Sequence, residues 1–248
     1  MNIVVCISSV PDTTSKINFL DNGSTFDSNG IQFVINPYDE FGLTKAMMLK
    51  ERIGGNVTVI TVGDVAVEPV IRKALAIGAD QAVRINTNPK DSYSTATEIA
   101  KYLSENPADL IIAGRESIDY NGGAVGGMVA EILSLPFVNA CNGLEVEGST
   151  AKMSREIDGG KENLSANLPL VIGGQKGLVE ESDLRIPNMR GIMQARSKPL
   201  QVVEPSNTDC LTNSEHFEKP AEKSACRFVE SGNEAELVQL LQEEAKVI

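Results

Sequence analysis

Short apolar runs alternate with stretches of helical periodicity over the first half of the chain. Asn2 to Ile7, Val57 to Val62, Gln81 to Ile85 and Asp109 to Ala113 are brief and mostly apolar, the pattern of strands buried on both faces of a parallel sheet. Between them, apolar residues recur at Phe41, Leu43, Ala46, Met47 and Leu49, across Val67 to Ile77 and Ser94 to Ser104, and from Met128 to Leu133. Each of these predicts a helix. Asn36 before Pro37 predicts a capping side chain beside a residue preset for the first helical turn. Gly54, Gly55 and Gly78 predict helix ends, and Gly63-Asp64 a turn. Asn18 to Gly30 reads as a surface loop or hairpin, and Gln32 to Ile35 as a further short apolar run. The alternation predicts βαβ units with right-handed connections, so the strand ends at Ile7, Val62 and Ala113 share one rim.

The pattern changes beyond Pro136. Gly143 to Val146, Ala151 to Glu156 and Asn163 to Ala166 alternate around Asp158-Gly159-Gly160, and Asp-Gly between such segments predicts a β-hairpin. Leu168 to Ile172 reads as a last core strand returning to the main sheet. The fold class is therefore α/β: a mainly parallel sheet flanked by helices, with a β-hairpin insertion and an extended C-terminal arm. Glu180 to Pro187 is acidic and extended, and Pro187 to Ala195 sets apolar residues among Arg190 and Gly191. Ser206 to Ala225 is polar, and Asn233 to Lys246 is an amphipathic helix. Roughly the last 40 residues carry too little apolar surface for a core of their own. They need another surface, and wrapping a second subunit or folding back are both open.

Composition narrows the function. The 248 residues include 34 acidic and 22 basic side chains, a net charge of −12, which argues against nucleic acid and anionic membranes as partners. No apolar run approaches the roughly 20 residues of a membrane span. The opening MNIVVCISSV lacks the basic flank and cleavage site of a signal peptide; a cytoplasmic protein is expected. Cys6, Cys141, Cys210 and Cys226 show no Cys-x-x-Cys spacing, and the single histidine, His216, lies in the polar tail. Neither an imidazole-based triad nor a metal centre is predicted, and no catalytic residue is assigned.

The chemistry concentrates in Ala108 to Pro136. A strand, a turn with Gly114, Gly122, Gly123, Gly126 and Gly127, and a helix start form a platform for a phosphate. Small residues let backbone N–H groups approach the anion, and the helix N-terminus adds partial positive charge. Asp119 and Asn121 would reach a ribose hydroxyl or tie the loop to itself. Glycines that only solve turn geometry give the same pattern.

Several segments, VVCISSVPDT, INPYDE (Ile35 to Glu40), VIRKALAIGAD (Val70 to Asp80), DLIIAGRESID (Asp109 to Asp119), SREIDGG (Ser154 to Gly160), LPLVI and RIPNMRGIMQARSKPL (Arg185 to Leu200), fall in order along the chain. Together they resemble the β subunits of electron transfer flavoproteins, from Met1 to about Pro205. The resemblance implies an adenine-nucleotide α-hydrolase-like fold over residues 1–205 and an arm, 206–248, that packs on an α subunit. It implies an electron carrier in an obligate heterodimer, with FAD mainly on the α subunit and a structural AMP here. In bifurcating members a second FAD takes that crevice. By position the nucleotide would meet Cys6, Asn36, Pro37, Tyr38, Asp39, Val62, Glu116, Ser117, Ile118, Asp119, Tyr120, Asn121, Gly122, Gly123, Ala124, Val125, Gly126 and Gly127.

The loop departs from the family where polar side chains usually contact the phosphate, reading Tyr120 to Val125 instead; backbone N–H donors would replace them. It also lacks the run associated with bifurcating members, which favours AMP. A partner-recognition loop is expected at about 180–198, with Met189 as apolar anchor beside Pro187, Ile192 and Met193, for an acyl-CoA dehydrogenase or similar flavin enzyme. Packing of Met189 on its own subunit is the competing role. Lys161 and Arg185 read as solvated charges, Arg115 as a surface salt bridge or an α-subunit contact, and Thr13 as facing the α-subunit flavin or capping its loop. A stand-alone nucleotide-binding module of the universal stress type is the alternative; it would not need Arg185 to Leu200. A hydrolase is disfavoured because no nucleophile–base pair is present.

Overall fold

The computed structural model describes residues 1–223 and 225–248; position 224, inside the polar stretch Ser206 to Ala225, lies outside the described residues. Five parallel strands form its centre. β1 (Asn2–Cys6) is followed by the short strands β2 (Ser9–Pro11), β3 (Phe19–Leu20), β4 (Thr25–Phe26) and β5 (Phe33–Ile35), then helix α1 (Pro37–Ile53). Next come β6 (Asn56–Val62), α2 (Glu68–Ile77), β7 (Gln81–Ile85), α3 (Ser92–Glu105), β8 (Leu110–Gly114) and α4 (Val125–Ile132). Then follow β9 (Phe137–Glu147), β10 (Thr150–Ile157), β11 (Gly160–Asn167), β12 (Leu170–Gly174), α5 (Met189–Ala195), β13 (Leu200–Val203) and α6 (Glu234–Glu243). The nine-stranded sheet has the order β11-β10-β9-β12-β8-β1-β6-β7-β13. β9, β12, β8, β1, β6, β7 and β13 pair parallel in succession, and β10 and β11 extend the β9 end through antiparallel hairpins.

Period-two alternation sends the strand side chains to two faces. Ile3, Val5, Val57 and Val59 join α1 and α2 in one core layer, with Leu110, Ile112, Leu170 and Ile172. Val4, Cys6, Ile60 and Val62 join Ile99 and Leu103 of α3 and Val129 of α4 in the other. Burying each such Val, Leu or Ile contributes about 1.5–3 kcal/mol, so both layers lock the strand register.

The predicted βαβ alternation and the return of β12 to the main sheet are present. So is the Asp158-Gly159 hairpin, in which Ile157 pairs with Gly160. The short apolar run ending at Ile35 forms β5, which pairs antiparallel with β2 in a separate ribbon. Two expectations need correction. β12 is not the last strand, since β13 adds to the far edge beside β7. The segment from Met189 is not a loop but the helix α5, whose N-cap Asn188 accepts a hydrogen bond from Gly191 N.

Candidate nucleotide crevice and docking helix

The carboxyl ends of β1, β6 and β8 open into a cavity of about 410 Å³, within the usual range of about 300–1,000 Å³ for small-molecule sites. Cys6, Ile60, Val62, Ala113 and Ile99 give it an apolar floor, and Ser8, Ser9, Asn36, Ser117 and Asp119 a polar margin. A crevice at the strand ends of an open sheet is where α/β folds collect ligands.

Two buried polar residues from the start of α1 organise it. Asn36 is 1% exposed and Asp39 2%. The Asn-Pro pair predicts a capping side chain, but the Asn36 side chain makes no cap bond to α1. Its Nδ2 donates to Glu116 O at 2.8 Å, and its Oδ1 accepts from Ile118 N at 3.3 Å, which ties the Gly-rich loop to α1. Asp39 Oδ2 accepts from Ser8 N at 2.7 Å, fixing the turn after β1. Burial pushes the Asp39 carboxyl up to about 7, while bonds from Ser8, Asn36 and Gly114 pull the other way. Burial and then the Asp39 charge push the Cys6 thiol up to about 12. Cys6 is therefore an inert neutral wall rather than a nucleophile.

Within the loop, Ser117 N donates to Gly122 O at 2.9 Å, and Asn121 closes the turn with φ 50°. Asp119 ties the loop to itself, accepting from the Ser117 hydroxyl and from Tyr120 N at 2.9 Å. Ala124 supplies no side-chain cap to α4. A Cβ on Gly126 would stand 3.3 Å from both Ala113 and Phe137, and one on Gly127 3.3 Å from Phe137. These two glycines let α4 lie close against the sheet.

The cavity wall takes Cys6, Asn36, Asp39, Val62, Glu116, Ser117, Asp119, Tyr120, Gly122, Gly123, Val125 and Gly126. Pro37, Ile118, Asn121, Ala124 and Gly127 stand beside these in the chain and outside the wall. Tyr38 faces a second recess with Arg115, Gln175 and Lys176. Two parts of the wall are absent from the sequence reading. Pro89 to Ser92, with Thr95, close one side and bring the positive charge of Lys90; Thr212, Asn213 and Ser214 come from the C-terminal arm. The first had a legible signal, because β7 ends on the same rim and Asp91 with Ser94 forms a capping box. The arm carried none.

Of the expected docking residues, Met189 is 75% exposed, Met193 70% and Ile192 43%, with Ile186 at 86% beside them. Pro187 is half-buried. Met189 does not pack on its own subunit. Arg185 is not a free surface charge: it pairs bidentately with Glu51 at 2.7 and 2.6 Å. Lys161 is exposed. Arg115 donates to Gln175 Oε1 at 3.1 Å and lies 3.8 Å from Glu116. It is Thr14, not Thr13, that bonds within its loop, donating to Asp12 through its N–H at 2.9 Å and its hydroxyl at 2.5 Å.

Among the described residues no group of three or more metal-ligating side chains converges, and no helix is long and apolar enough to cross a membrane. Comparison with known proteins gives the context of this site. The model of the electron transfer flavoprotein domain matches residues 24–208. The electron transfer flavoprotein subunit beta of Bacillus subtilis is 37% identical, with all of both chains covered. That of Syntrophomonas wolfei is 33% identical over 91% of this chain and 88% of its own. That of Mycobacterium tuberculosis is 36% identical over 82% and 78%. With its mostly parallel sheet and full-length relatives, this chain belongs to the electron transfer flavoprotein family.

Proposed function

We propose that this chain is the β subunit of a heterodimeric electron transfer flavoprotein in the cytoplasm, a carrier between flavin dehydrogenases and a downstream acceptor. An α subunit holds most of the FAD, which supplies the redox chemistry. One AMP lies in the crevice with its phosphate over Asn121 to Gly127. The observation that carries this reading is the convergence of an apolar floor, the Gly-rich loop and the uncapped start of α4 on one cavity of about 410 Å³. Exposed backbone N–H groups at a helix start suit a phosphate, and Lys90 adds charge on the facing wall. The apolar floor suits the base, and Ser117 and Asp119 suit the sugar hydroxyls.

The exposed side chains of Ile186, Met189 and Met193 make α5 the docking point for an acyl-CoA dehydrogenase or similar enzyme. The end of the arm packs on the α subunit, since α6 buries none of its side chains here. Co-expression with an α subunit tests the whole assignment. Acid release from the pure heterodimer should give one FAD and one AMP, and the chain expressed alone should hold no flavin and aggregate. Two FAD and no AMP would replace the AMP assignment with a second flavin. A monodisperse chain that binds FAD alone would overturn the subunit assignment.

A further inference from the structure

Two acidic residues, the N-cap of α3 and one within it, hold the C-terminal arm. Glu98 is 6% exposed and accepts from Ser206 N at 3.1 and 2.9 Å, Ser206 Oγ at 2.7 Å and Thr208 N at 3.2 Å. Two turns earlier, Asp91 divides its oxygens. Oδ1 caps α3 by accepting from Ser94 N at 2.8 Å, while Oδ2 accepts from Leu211 N at 2.7 Å and Thr212 N at 3.0 Å. Such charge-assisted bonds are about twice as strong as neutral ones. Beyond them, residues 212–214 line the crevice. The arm then lands on the opposite rim: the Phe217 ring stacks on Phe19 at 5.3 Å, with Tyr120 of the Gly-rich loop at 6.4 Å. Phe217 N donates to Gly23 O at 2.7 Å, and Lys219 Nζ to Asn18 Oδ1 at 2.7 Å. The arm thus runs from α3 across the mouth to the β3–β4 hairpin. The family match stops at residue 208, before this crossing.

We propose that residues 206–217 form a strap over the crevice, with Asp91 and Glu98 as its clasps and the Phe19–Phe217 stack as its far anchor. The strap makes a bound adenine mononucleotide slow to exchange. This rests on the AMP reading above. The strap buries little apolar surface and has no regular structure, so it opens locally without unfolding the sheet. Opening of the strap is the step that frees the nucleotide. Asp91 therefore serves twice, since the same carboxylate that starts α3 closes the site that α3 borders.

The test uses the co-expressed heterodimer loaded with labelled AMP and chased with excess unlabelled AMP. Leu211→Pro removes a strap amide while leaving Asp91 and its helix cap in place, and Phe217→Ala removes the far anchor. The double variant should release AMP about tenfold faster or more, the factor expected from losing one hydrogen bond to a charged group. Its melting temperature without nucleotide should match wild type. Hydrogen exchange read by mass spectrometry should show residues 206–217 protected in the AMP complex. Release unchanged within twofold, or a strap that exchanges as a free peptide while AMP stays bound, would overturn the proposal. A wild-type heterodimer without any adenine mononucleotide would sink the AMP reading, and the strap with it.

Discussion

Asn36 and Glu116 lie 80 positions apart in the chain and are joined by a 2.8 Å bond from the Asn36 side-chain amide to the Glu116 carbonyl. With the return bond from Ile118 N, the residue that precedes α1 sets the shape of a loop between β8 and α4. Asn36→Ala leaves a carbonyl and an amide without these partners in a buried place. The expected loss is about 1–3 kcal/mol, read by urea denaturation, together with weaker AMP retention. Unchanged stability and retention would show that the loop holds its shape without Asn36.

The glycines of the loop separate into two kinds. A Cβ on Gly122 meets nothing nearer than Ser92 Oγ at 4.0 Å, whereas one on Gly126 is crowded at 3.3 Å on two sides. Gly122→Val should keep the melting temperature and reduce AMP binding, because it fills the crevice alone. Gly126→Val should lower the melting temperature by forcing α4 off the sheet, an overpacking cost of about 1–3 kcal/mol. If Gly122→Val binds AMP as wild type does, the phosphate is not cradled there.

Most of the sheet was legible because buried parallel strands are short apolar runs. β7 coincides with its predicted span, Gln81 to Ile85. α4 begins at Val125 rather than Met128, since Gly126 and Gly127 look like turn residues while serving helix–sheet contact. β13 was missed because it is four residues long with Gln201 and Val202 facing outward, an edge with little apolar signature. Asn36 was read locally as a cap, and its long-range bonds outcompeted that role. The arm's bonds to Asp91 and Glu98 come mostly from backbone amides, which leave no trace in side-chain patterning.

Asp39 should give the fold a measurable pH dependence. Its carboxyl is raised from an ordinary value of 3.8 to about 7 by burial, so the folded chain keeps a proton that the unfolded chain releases. That contribution is fully present below about pH 4 and lost as pH rises through about 7. Asp39→Asn removes it, so the stability of the variant relative to wild type should rise between pH 4 and 7.5. Denaturation curves across that range with identical slopes for both proteins would refute the assignment.

Met189→Ala tests docking. Truncating a buried interface anchor costs about 2 kcal/mol or more, roughly thirtyfold in affinity. The apparent Michaelis constant of a dehydrogenase for the heterodimer should rise by that factor. The flavin spectrum and reduction by dithionite should be unchanged. A variant that accepts electrons as wild type does would place the contact elsewhere.

The mounting of α5 bears on how such a complex moves. Arg72 of α2 donates to Ala195 O at 2.7 Å and Lys198 O at 3.0 Å, while Lys198 Nζ returns bonds to Leu75 O at 2.8 Å and Ala79 O at 2.6 Å. β13 then splices the same segment into the sheet edge. The proposed docking helix is thus fastened to the sheet and α2 just after its last residue, and the Arg185–Glu51 pair ties the segment before it to α1. A protein that grips Met189 grips the entire frame, and torque at that point turns the chain as a single body. On the proposed function, a swing that brings a flavin toward an enzyme docked at Met189 would pivot outside this frame.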